Sequence, residues 1–151
     1  MNADIHAIIA RQRADDRANQ ARMLEANRKS RSALSSMLDE MLAICREFRE
    51  AERLADIRMK GYPLEHDRSR ELGGDGAWHI IDWDSNDPPP FHLYISCLYV
   101  EITYNPFKET WGYKSSFRGP FFTRDEIMQK FCSDFAKWII DSYPALLESS
   151  D

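Results

Sequence analysis

Residues 3–59 contain neither glycine nor proline and are rich in Ala, Arg, Leu, Met, Glu and Gln. These are the strongest helix formers, and without a breaker the segment is predicted to be helical throughout. Its character changes along the way. Ile5, Ile8 and Ile9 form a short apolar patch, and residues 11–33 that follow are polar or Ala apart from Met23 and Leu24. A helix that is polar all round either bridges solvent or is marginal by itself.

A seam begins at Leu34. Leu34, Met41, Phe48 and Ala55 recur every seven residues, and Met37, Ile44 and Ala51 fall three later in each heptad. Leu38 and Cys45 widen the stripe, and Leu42 and Leu54 flank it. Three heptads meet the minimum for a coiled coil, while the widened stripe suits packing on a domain equally well. Ser35, Ser36 and Asp39 offer an N-terminal capping signal. The arm therefore either breaks near residues 30–36 into two helices or runs unbroken for ~85 Å.

The rest of the chain has a different chemistry. Of 18 aromatic residues, 16 lie in residues 77–151, whereas the first 76 residues hold 12 of the 14 Arg and 11 of the 14 Ala. Gly61 and Pro63 end the helical run, and Gly73-Gly74-Asp75-Gly76 reads as a loop. Ala77–Asp84, Phe91–Tyr104 and Thr110–Phe117 read as strands, separated by the Pro88-Pro89-Pro90 run and the Asn105-Pro106 turn. The middle strand alternates poorly, which predicts burial on both faces or a bulge. Thr123 and Glu126 form a capping box for a helix over residues 124–143, with Ile127, Phe131, Phe135, Trp138 and Ile139 as its apolar stripe.

The expected fold class is α+β: a long N-terminal helical arm of one or two helices, a three-stranded antiparallel sheet, and a C-terminal amphipathic helix packed on the sheet. The expected division is residues 1–60 as the arm, 61–76 as a linker loop and 77–151 as a small sheet-plus-helix domain.

Charge and cysteines narrow the function. The net charge of −5 arises in residues 77–151, with 6 basic and 11 acidic groups, while residues 1–76 balance 14 against 14. An acidic aromatic part is a poor general binder of phosphate. Cys45, Cys97 and Cys132 are widely spaced and odd in number, as in a reducing compartment. Ile5, Ile8 and Ile9 give way to Arg11 and Arg13, so no secretory leader is read and a cytoplasmic location is expected.

Five candidate sites compete with plainer readings. His79, Asp82 and Asp84 on one strand, with His92 and Glu101 on the next, have the residue types of a metal-dependent hydrolase. Glu101 is followed by Ile102 and Thr103 rather than by a nuclease lysine, so a fraying strand end is the better account. His92 with Ser96 or Cys97 does not make a nucleophile pair on a strand, where four residues span ~13 Å. Arg11, Arg13, Arg17, Arg22, Arg28, Lys29 and Arg31 could line a nucleic-acid surface, although they spread around the helix. Phe107, Trp111 and Tyr113 could form an aromatic docking surface, although most aromatics of a small domain are core. Ile5, Ile8, Ile9, Leu34, Met37, Met41, Ile44 and Phe48 could dock a partner or a second copy, with packing on the chain's own sheet as the alternative for the seam.

The sequence therefore points to a non-enzymatic protein–protein interaction module of the inhibitor, immunity, chaperone or adaptor type, able to self-associate through its N-terminal helices. No cofactor or metal is called for, and no membrane partner is expected. Nucleic-acid binding through residues 11–31 is the alternative, with metal-dependent hydrolysis behind it.

Overall fold

The computed structural model describes residues 2–61, 91–114 and 119–148. Helix α1 spans Asn2–Arg46 and is followed by the short helix α2, Ala51–Ala55. Strands β1 (Ile57–Gly61), β2 (Phe91–Ile95), β3 (Val100–Asn105) and β4 (Thr110–Tyr113) come next, then helices α3 (Arg124–Ser142) and α4 (Ala145–Glu148). The four strands form one antiparallel sheet in the order β1-β2-β3-β4. The α+β class with a long N-terminal helix and a C-terminal helix is as expected, but the sheet has four strands rather than three.

Two of the differences have clear causes. The helical run stops at Arg46 without glycine or proline, because Glu50 and Asp56 adopt left-handed backbone on either side of α2 (φ 61° and 49°). That turn places Ala51 and Ala55 in the core. Asp56 tolerates the conformation as a short polar residue, and its carboxylate accepts from Arg58 Nε (2.6 Å) and Ser96 Oγ (3.3 Å). The residues read as the end of the arm thereby become β1, paired with β2 from Ile57↔Ile95 to Gly61↔Phe91.

The second difference lies in the predicted strand Phe91–Tyr104. It is a hairpin: a 3₁₀ turn at Ser96–Leu98 and left-handed Tyr99 (φ 54°) fold β3 back onto β2, with Ile95 opposite Val100. The buried positions shift parity across that turn, from Phe91, Leu93 and Ile95 to Val100, Ile102 and Tyr104. The poor alternation of the sequence records this shift and not a strand covered on both faces. The predicted strand Ala77–Asp84 lies outside the described residues, as does residues 115–117 of the third.

Elsewhere local chemistry acts as the sequence implies. Asn105 Oδ1 accepts from the amides of Phe107 (2.9 Å) and Lys108 (3.1 Å), closing the β3–β4 turn. Thr123 Oγ1 accepts from Glu126 N (3.2 Å), while Glu126 Oε1 accepts from Thr123 N (2.9 Å). α1 passes unbroken through residues 30–36, so the capping signal at Ser35 and Ser36 is not used.

Both long helices lie on the same face of the sheet. Leu34, Met37, Met41 and Cys45 of α1 join Ile127, Phe131, Phe135 and Ile139 of α3 in one cluster with the inward strand residues. Arg124 clamps the two helices, reaching Glu40 Oε2 (2.8 Å) and Ser36 Oγ (3.4 Å), and Phe48 meets Phe135 edge-on at 5.9 Å. Asn27 Oδ1 and Ser30 Oγ are buried and have no hydrogen-bond partner among the described residues.

The interior also sets an alkaline limit. Burial pushes the Cys45 thiol up to about 11 and the Cys97 thiol up to about 12. Burial likewise raises Tyr113, helped by its hydroxyl donating to Asp134 Oδ2 at 2.6 Å. Folding thus favours the protonated forms. Their contribution is full below the unfolded thiol value of about 8.5 and is lost as pH rises through the folded values. We expect the melting temperature to fall steadily above about pH 9, and Tyr113→Phe to shallow that fall. A flat profile through this range would contradict the buried, protonated assignment.

Candidate interaction surfaces

The seam of α1 faces the chain's own sheet. Leu34, Met37 and Met41 are fully buried, and Ile44 and Phe48 are half-buried against the same core. As partner contacts Leu34, Met37 and Met41 are corrected: their stripe is matched by the inward residues of the strands. Trp111 and Tyr113 are corrected in the same way. Both are buried, Trp111 against Tyr104 at 4.6 Å between rings, so they do not form an outer aromatic surface. Phe107 is at the surface, with the Arg22 guanidinium 4.6 Å above its ring.

Beyond the sheet α1 continues toward its N-terminus with no other described element packed on it. From Asp4 to Asn19 every side chain is exposed, a length of roughly 24 Å at about 1.5 Å per residue. Ile5, Ile8 and Ile9 are 57%, 63% and 43% exposed. Their spacing puts them on one side of the helix. Steps of three and four carry that side through Gln12, Asp16 and Asn19 to Met23, Ala26, Ser30 and Leu34. The patch is thus on the same side as the core stripe, separated from Met23 by three polar positions. Gln12 Nε2 donates to Asp16 Oδ1 at 3.0 Å within that interruption.

The basic residues divide between two environments. Arg11, Arg13 and Arg17 stand on the projecting segment. Arg22 lies over Phe107, Arg28 pairs with Glu25 (2.7 Å), Lys29 with Glu109 (2.6 Å), and Arg31 lies 5.7 Å from the Phe91 ring. The hydrogen bond to Glu109 raises Lys29 and lowers Glu109. Four of the seven candidate phosphate contacts therefore already face groups of this chain.

His79, Asp82 and Asp84 lie outside the described residues. Glu101 sits on β3 opposite Tyr94, with its Oε1 3.9 Å from His92 Nε2. Among the described residues no group of three His, Cys, Asp or Glu side chains is placed to hold a metal ion. Among them, too, no helix is long and apolar enough to cross a membrane.

A further surface escapes the reading by sequence. Between the C-terminal end of α1, the turn after it and α3 lies an open apolar groove of about 300 Å³. Phe135 and Ile139 reach it from the core, Ile44 and Phe48 form one wall, and Ile140, 59% exposed, and Leu147 form the other. Glu47 is the one charged residue in its lining among the described residues. Cys132 and Ala136 complete the α3 side; burial and then the Glu47 charge raise the Cys132 thiol. The signal was present as a second apolar stripe, Cys132, Ala136 and Ile140, spaced by four beside the core stripe.

In comparisons with known proteins, the chain matches no family model, no curated protein and no solved structure.

Proposed function

We propose that this chain is a non-enzymatic protein-binding module whose docking element is the projecting N-terminal segment of α1. The observation that carries the reading is the trio Ile5, Ile8 and Ile9, exposed on a helix already held in shape by the packed remainder of α1. Burying an isoleucine fully is worth ~1.5–3 kcal/mol, and a helix ordered in advance avoids much of the entropic cost of docking. An i, i+3, i+4 apolar trio is the pattern by which helices are read in grooves. The nucleic-acid alternative has less support, since Arg22, Arg28, Lys29 and Arg31 already have partners in the fold.

A photo-crosslinking residue at position 12, beside the patch, tests the proposal in cells of the source organism. A discrete protein adduct is expected, and the double substitution Ile5→Asp, Ile8→Asp should abolish it. An adduct unaffected by that double substitution, or none at all, counts against the arm as a docking element.

A further inference from the structure

Resting on that reading of the arm, we propose that the groove between α1 and α3 receives residues 5–9 of a second copy of this chain. Two apolar features stand at the surface of the described fold. One is a convex helical ridge, Ile5, Ile8 and Ile9; the other is the concave site walled by Ile44, Phe48 and Ile140.

One chain cannot join its own two features. Ile8 and Ile44 both belong to α1, which is unbroken from Asn2 to Arg46, and a rise of about 1.5 Å per residue holds them roughly 54 Å apart. The ridge therefore meets a groove of this kind only on another copy.

The charges agree with this occupant. The described lining of the groove carries the acid Glu47, and the residues after the ridge include Arg11 and Arg13. With Asp4 before the ridge and Arg11 and Arg13 after it, the docking segment carries a net positive charge to Glu47, while its apolar trio covers Ile140. Reciprocal exchange of arms between two copies fills both grooves and closes the assembly, the usual outcome for homo-oligomers.

The test is light scattering behind size exclusion on the full chain across a concentration series, using Ile8→Asp as the ridge variant and Ile140→Asp as the groove variant. Both positions are well exposed, so each variant should keep the wild-type helical circular dichroism. If the Ile140 variant does not fold, Ile140→Ser replaces it. The wild type is expected to approach twice the monomer mass, and each variant to need at least about tenfold more protein to do so. The decisive arm is the mixture. Ile8→Asp keeps a sound groove and Ile140→Asp a sound ridge, so an equimolar mixture should regain a dimer through one intact contact.

A strictly monomeric wild type overturns the inference. So does an Ile140 variant that dimerises like the wild type, or a mixture that stays monomeric although each variant alone has lost the dimer. In any of these cases a crosslinked adduct between position 12 and a different protein would still uphold the arm as a docking element. Loss of that adduct as well would remove the broader reading.

Discussion

Phe131→Ala should destabilise the protein by about 3–5 kcal/mol, the range for deleting a buried aromatic ring. Phe131 is fully buried on α3, and its ring stacks on Phe135 at 5.4 Å with an interplanar angle of 16°. Phe135 in turn meets Phe48 and Trp138, at 5.9 and 5.6 Å. Removing the ring leaves a cavity where the C-terminal helix joins the end of α1, with rigid helices on both sides and little scope for collapse. For a chain of this length the loss amounts to roughly 10 °C in melting temperature. Urea titration followed by circular dichroism would measure it. A loss below about 1 kcal/mol would mean that α3 is not seated on the core as described.

Leu34→Ala is expected to cost about 2–5 kcal/mol. Its value lies in the contrast with Ile8→Ala on the same helix, which should stay within about 0.5 kcal/mol of the wild type in the unassociated chain. Leu34 is fully buried under the sheet, whereas Ile8 is 63% exposed. One heptad-like pattern thus contains two kinds of residue: those that hold the fold and those left for a partner. The comparison belongs at low protein concentration, where mass action does not add assembly to stability. Should Leu34→Ala leave the unfolding midpoint unchanged and alter only association, the seam would be an intermolecular surface and the assignment of the core would fail.

The proposed arm exchange makes physical sense of the three polar residues that interrupt the α1 stripe. Had Gln12, Asp16 and Asn19 been apolar, the face would be one continuous seam, prone to many registers of pairing. With them in place the apolar ridge is confined to about one and a half turns. A short ridge can fit a short groove in one register, which favours a defined partner over indiscriminate association.

Local chemistry was legible wherever a few neighbouring residues decide the outcome. The capping box of Thr123 and Glu126 and the Asn105 turn could be read directly, because each satisfies its own backbone within a few positions. The amphipathic stripe of α3 was legible for the same reason: its period is written in sequence and its core residues are buried in the fold. So was the exposed apolar patch at Ile5, Ile8 and Ile9, whose polar successors give it no continuation.

What the tertiary structure decided was where strong local tendencies are overridden or divided. Helix propensity extends through residues 57–59, yet pairing with β2 makes them a strand, because edge-to-edge hydrogen bonding and burial of Ile57 outweigh a preference of tenths of a kcal/mol per residue. Residues 91–104 carry strand formers throughout, and only the return of β3 onto β2 shows where they turn. The heptads of α1 fitted a partner helix and the chain's own sheet equally well. Periodicity specifies which face is apolar, but the surface that meets that face is made by residues distant in sequence. The groove between α1 and α3 exists for the same reason, since its two walls come from opposite ends of the chain.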